Sequence, residues 1–113
     1  MQNPKPPNIL VADDHAMMRD GIVLMIHAAW PDSRCEIAED FQGVMAKIDA
    51  SNDGERFAAI VLDLRMPGMR GADSVAQITQ RAAGVPVIVC TALEDPSLVE
   101  RLTSSGIFCA VNK

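Results

Sequence analysis

Short apolar runs alternate with helical stripes along the whole chain. The first run, Ile9-Leu10-Val11-Ala12, ends at Asp13-Asp14. Met18, Ile22, Met25, Ile26 and Ala29 then recur at offsets of 4, 3, 1 and 3, which is one face of a helix. Trp30-Pro31-Asp32 breaks that helix, because proline disfavours helical geometry in the residue before it. Cys35-Glu36-Ile37-Ala38 reads as a second strand, and its half-polar character suggests a sheet edge. Phe41, Val44, Met45 and Ile48 form a second helical stripe, followed by the turn residues Asn52-Asp53-Gly54. Residues 58–62 are almost wholly apolar, as in a strand buried on both faces of a parallel sheet, and they end at Asp63. A loop over 66–71 leads to a third helix carrying Val75, Ile78 and Ala82. Residues 85–90 form the fourth strand, ending at Thr91. Asp95-Pro96 opens a fourth helix with Asp as N-cap and Pro at the first helical position, Leu98, Val99 and Leu102 line its face, and Gly106 suits the position after it. Residues 107–111 form a fifth strand, and the sequence ends at Lys113.

Five strands and four helices in strict alternation predict βαβ units and an α/β fold with a doubly wound, five-stranded parallel sheet. Residues 1–8 are polar and proline-rich and read as a tail, leaving one domain over 9–113, which is an ordinary domain size. Such a sheet normally closes with a further helix, and the sequence ends before one. The first helix is then expected to lie alone on its face, so the sequence is a fragment or something else, such as self-association, covers that surface.

Composition narrows the function. The chain is 49% hydrophobic, which is enough for a core and unlike a disordered chain. Its formal charge of −5 repels phosphate backbones, which argues against direct nucleic-acid binding. No apolar run approaches the length of a membrane span, and no secretory h-region is visible, so a cytoplasmic protein is expected. Cys35, Cys90 and Cys109 are odd in number and lack compact spacing, which argues against a disulfide framework.

The candidate chemistry lies at strand ends. In open α/β sheets, function collects beyond the carboxyl ends of the strands. There the pattern delivers Asp13-Asp14, Asp63, Thr91 and Lys113 from four different strands. Three carboxylates together favour a bound cation, and oxygen-only ligands select a hard ion such as Mg²⁺. One carboxylate can then attack phosphorus to form an acyl phosphate. Lys113 can neutralise phosphoryl oxygens, and the Thr91 hydroxyl can donate to one.

These residues, with Val61-Leu62-Asp63-Leu64-Arg65-Met66-Pro67-Gly68 and Thr91-Ala92, resemble the receiver domains of bacterial two-component response regulators. The resemblance covers essentially the whole chain and stops before the family's last helix. It implies a flavodoxin-like sheet of order 2-1-3-4-5. It also implies phosphorylation at Asp63, Mg²⁺ bound by Asp13, Asp14, Asp63 and the backbone carbonyl of Arg65, and Thr91 and Lys113 acting on the phosphoryl group. The donor would be a phosphohistidine on a sensor histidine kinase, and the chain would assist its own phosphorylation without being an enzyme in the ordinary sense. Asp14-His15, Trp30-Pro31-Asp32 and the segment from Thr91 to Pro96 look most like receivers of the LuxR/FixJ type. That likeness implies a C-terminal DNA-binding domain outside this chain, transcription as output, and a dimer surface altered by phosphorylation. One departure stands out: Ala110 occupies the position where the family usually carries a Tyr or Phe that swings inward, and Cys109 replaces a common glycine.

Three other readings compete. An aspartate-nucleophile phosphatase would need a second Asp two residues after the first, where Arg65 stands. A flavin-binding flavodoxin would need a phosphate-cradling loop after the first strand, where Asp13-Asp14 would repel phosphate. A receiver-like interaction module that signals without phosphorylation is left open by Ala110. His15, although close to the acidic pair, reads as a solvated helix-start residue, and Asp14 has the alternative reading of a helix N-cap.

Overall fold

The structure is a computed structural model that describes residues 6–51, 57–91 and 109–112. Its elements run β1 (Asn8–Ala12), α1 (Ala16–Ala29), β2 (Arg34–Ala38), α2 (Phe41–Ala50), β3 (Ala59–Leu62), α3 (Ala72–Arg81), β4 (Val87–Thr91) and β5 (Cys109–Asn112). All paired strands are parallel, in the order β2-β1-β3-β4-β5. This is the expected doubly wound sheet, with the chain reversing its winding direction between β1 and β3. The expected fourth helix and Lys113 lie outside the described residues, and strand ends move by one or two positions. Thr91, for instance, is the last residue of β4 and not the first beyond it.

The two-residue side-chain period of a strand separates the faces of the sheet. Leu10 and Ala12, Ile60 and Leu62, and Val87 and Val89 alternate along their strands into one cluster with Val44, Ile48, Val75 and Ile78. The stripes read for α2 and α3 therefore face the core as expected. Burying each Leu or Ile there contributes roughly 1.5–3 kcal/mol. Asp40 caps α2 by accepting from the Gly43 amide at 2.6 Å, and Asp49 of α2 pairs with Arg81 of α3 at 2.7 Å.

Helix α1 leaves much of its apolar stripe exposed. None of its residues is fully buried. Ile22 and Ile26 are half-buried, but Met18 and Met25, read as part of the same face, are 41% and 73% exposed. Periodicity reports which side chains share a face, not how far each of them is covered. Ile9 and Val11 are buried on the alternate positions of β1. Cys35 of β2 is a half-buried free thiol, and burial pushes its pKa up, which keeps it protonated and unreactive near neutral pH.

Candidate functional site

The parallel ladder places the acidic residues. Ala12 of β1 is in register with Ala38 of β2 and Leu62 of β3. Pairing continues one residue further, with the Asp13 amide donating to Ala38 O at 3.1 Å and the Asp63 amide donating to Ala12 O at 2.9 Å. Two chain segments separated by fifty residues are thus fixed side by side at the carboxyl rim. Both carboxylates are buried, with Asp13 at 1% and Asp63 at 2% exposure.

Beyond β1 the chain turns into α1. Asp13 Oδ1 accepts from the His15 amide at 2.9 Å, an Asx turn that starts the helix. The N-cap position belongs to His15 and not to Asp14, and the imidazole makes no capping hydrogen bond. Asp14 is therefore left for the pocket, with its side chain one-third exposed. Ligand atoms of Asp13, Asp14, His15 and Asp63 all lie within 4.8 Å of one another. The sequence reading assigned His15 to solvent, and its side chain is indeed 65% exposed. Its Nδ1 nevertheless lies 3.4 Å from Asp13 Oδ1 and 3.2 Å from Asp14 Oδ1. The contiguous Asp-Asp-His order was the available signal. Arg19 of α1 ties the rim together, donating to the Asp13 carbonyl at 3.3 Å and to Glu39 at 2.9 Å.

On the β3 side, Asp63 Oδ1 accepts from the Arg65 amide at 3.2 Å, which folds the backbone around the carboxylate. Met66 is buried, and its carbonyl accepts from the Met69 amide at 3.1 Å. Pro67 occupies the second turn position and Gly68 the third at φ +85°, the residue types a type II turn requires. The Pro67 carbonyl accepts from the Phe41 amide at 2.9 Å, which locks this loop to the start of α2. Thr91 ends β4 with its backbone in register with Asn112 of β5, and Ala110 pairs with Val89. Lys113, the next residue after Asn112, lies outside the described residues.

Asp13, Asp14 and Asp63 thus converge, as the sequence reading required, and they sit on a parallel sheet of the predicted order. Residues 9–113 match the model of the response regulator receiver domain. The chain belongs to this family. LiaR of Bacillus subtilis, a transcriptional regulatory protein, is 30% identical over 100 residues, covering 87% of this chain and 44% of that protein. A LuxR-family two-component response regulator from Aurantimonas superposes with a TM-score of 0.79 at 20% identity, covering 96% of this chain and 74% of that one. The receiver domain of the sensor histidine kinase PA1611 from Pseudomonas aeruginosa, solved with a magnesium ion coordinated in its active-site cleft, superposes with a TM-score of 0.77 at 21% identity, covering 96% and 85%. The likeness to LuxR-type receivers read from the sequence agrees with these relatives. The chain spans about half the length of the curated relatives it matches. No helix among the described residues is long and apolar enough to cross a membrane.

Proposed function

We propose that this receiver takes a phosphoryl group on Asp63 from the phosphohistidine of a sensor histidine kinase and thereby switches a transcriptional output in the cytoplasm. The observation that carries the reading is the convergence of Asp13, Asp14 and Asp63 in one pocket at the carboxyl rim of the sheet. In the step, an Asp63 carboxylate oxygen attacks phosphorus, the phosphorus–nitrogen bond of the donor breaks, and the imidazole leaves with its electron pair. The product is an acyl phosphate.

The donor set fits Mg²⁺. It is rich in carboxylate oxygen, two of its members are buried and held by strand backbones, and its outer side is open at Asp14. Asp13, Asp14, Asp63 and the Arg65 carbonyl would hold the ion. When bound, it neutralises the carboxylates and the phosphate charge that would otherwise repel each other. The chain's own groups do the rest. The register of β1 and β3 fixes the acceptor beside Asp13, and the Arg65 amide orients the Asp63 carboxylate by donating to Oδ1. Thr91 would donate to a phosphoryl oxygen, and Lys113 would pair with another. A partner DNA-binding domain and a second copy of the chain are the expected recipients of the signal.

The test is uptake from a small acyl-phosphate donor, read by intact mass. The wild type should gain one phosphoryl mass in a Mg²⁺-dependent manner, and Asp63→Asn should gain none. Equal gain in the variant would remove the proposal. Ala110 favours a second reading, an interaction module that signals without phosphorylation, because the ring that usually couples the site to the surface is missing. Partner binding that is indifferent to phosphoryl donor would support that alternative.

A further inference from the structure

The fourth donor of the pocket is a nitrogen. His15 Nδ1 stands 3.2 Å from Asp14 Oδ1 and 3.4 Å from Asp13 Oδ1. Donors bound at about 2.0–2.1 Å lie about 3.3 Å apart around a tetrahedral ion and about 3 Å apart at neighbouring corners of an octahedron. The His15 separations match such a shell before any side chain moves. The choice of element matters as much as the distance. Mg²⁺ selects oxygen and keeps its waters, whereas Zn²⁺, Co²⁺ and Ni²⁺ accept imidazole alongside carboxylate.

The surrounding structure supports a ligand role. The Asx turn from Asp13 Oδ1 to the His15 amide fixes the histidine backbone against the carboxylate it would share an ion with. The ring makes no capping hydrogen bond, so it is not committed to α1. Two buried carboxylates form the floor, and the exposed imidazole and half-open Asp14 form the rim through which an ion would enter.

We propose that His15 turns the acidic pocket into a mixed nitrogen–oxygen site for a zinc-class divalent ion, which competes with Mg²⁺ for Asp13, Asp14 and Asp63. The inference rests on the proposed function, because it uses the same carboxylates. It adds a regulatory consequence: the balance of zinc-class ions and Mg²⁺ sets which ion stands beside the acceptor carboxylate.

Calorimetric titration with ZnCl₂ and, separately, MgCl₂ tests it on the intact chain near neutral pH, comparing wild type, His15→Ala and His27→Ala. The wild type should bind one zinc ion that saturating Mg²⁺ displaces. His15→Ala should lose about tenfold or more in zinc affinity while its Mg²⁺ affinity moves by less than about twofold. His27→Ala should match the wild type. Zinc held elsewhere, at Cys35 or His27, is recognised by its indifference to Mg²⁺. His15 is largely exposed, so its replacement leaves the core intact, and an unchanged circular dichroism spectrum verifies this. The inference is overturned if His15→Ala keeps the Mg²⁺-displaceable zinc ion at wild-type affinity, or loses both metals equally. Failure of the wild type to bind Mg²⁺ would instead count against the proposed function itself.

Discussion

The Asp63 amide donates to the carbonyl of Ala12 at 2.9 Å, so the proposed acceptor is anchored by the strand that carries its acidic neighbours. Because Ala12 and Leu62 are in register, the residues that follow them reach the rim together. A one-residue slip between β1 and β3 would turn one carboxylate to the opposite face and abolish the pocket. The apolar faces that set this register are therefore part of the site's machinery.

Core and surface leucines should behave differently. Leu10 is fully buried in β1, whereas Leu24 on α1 is 71% exposed. Leu10→Ala should lower stability by about 2–5 kcal/mol. Leu24→Ala should stay within about 0.5 kcal/mol of the wild type. Urea unfolding midpoints check both.

Gly68 should tolerate no side chain. Its φ of +85° is costly for any L-residue, and an added Cβ would lie 3.0 Å from the Phe41 Cβ. Gly68→Ala should cost about 1–3 kcal/mol. Because the turn follows Asp63 by only a few residues, the variant should also take up phosphoryl groups more slowly in a time course.

The α2 cap gives a smaller, local effect. Asp40→Ala removes the acceptor for the Gly43 amide and should cost about 1 kcal/mol. An alanine Cβ at Gly43 would come within 2.9 Å of the capping oxygen, so Gly43→Ala should displace the cap while gaining helix propensity of about 0.5–1 kcal/mol, and the two effects should largely offset. Thermal melts followed by circular dichroism measure both.

Glu36 supplies the pH dependence. Its carboxyl is held below its ordinary value of 4.5, chiefly by the hydrogen bond from Asn8 and further by Lys47, with burial opposing. A depressed folded-state pKa stabilises the fold above the unfolded value, and that contribution fades as pH falls through the folded one. Glu36 is 38% exposed, so solvent screening keeps the effect below about 1 kcal/mol. The stability difference between wild type and Glu36→Gln should therefore be present at neutral pH and vanish in acid, as read by urea midpoints across pH.

Much of this was legible in the sequence because the central strands β1, β3 and β4 are largely apolar runs that end at polar residues. Residues 9–12 and 59–62 announce buried strands, and the acids that follow them mark the functional rim. Met66-Pro67-Gly68 announces a turn by the residue types it requires. How far each α1 side chain is covered was less legible: a stripe at helical spacing fixes which side chains share a face, while Met25 is 73% exposed. The role of Asp40 and the approach of His15 to the carboxylates depend on local turn geometry. In that geometry, a shift of one residue decides whether Asp14 caps a helix or faces the pocket.

Reduction with borohydride after incubation with acetyl phosphate and Mg²⁺, followed by peptide mass spectrometry, tests the central claim most directly. An acyl phosphate at Asp63 would be reduced to homoserine, so that modification is expected in the peptide containing residue 63 and in no other. An unmodified Asp63, or homoserine at a different aspartate, would contradict it.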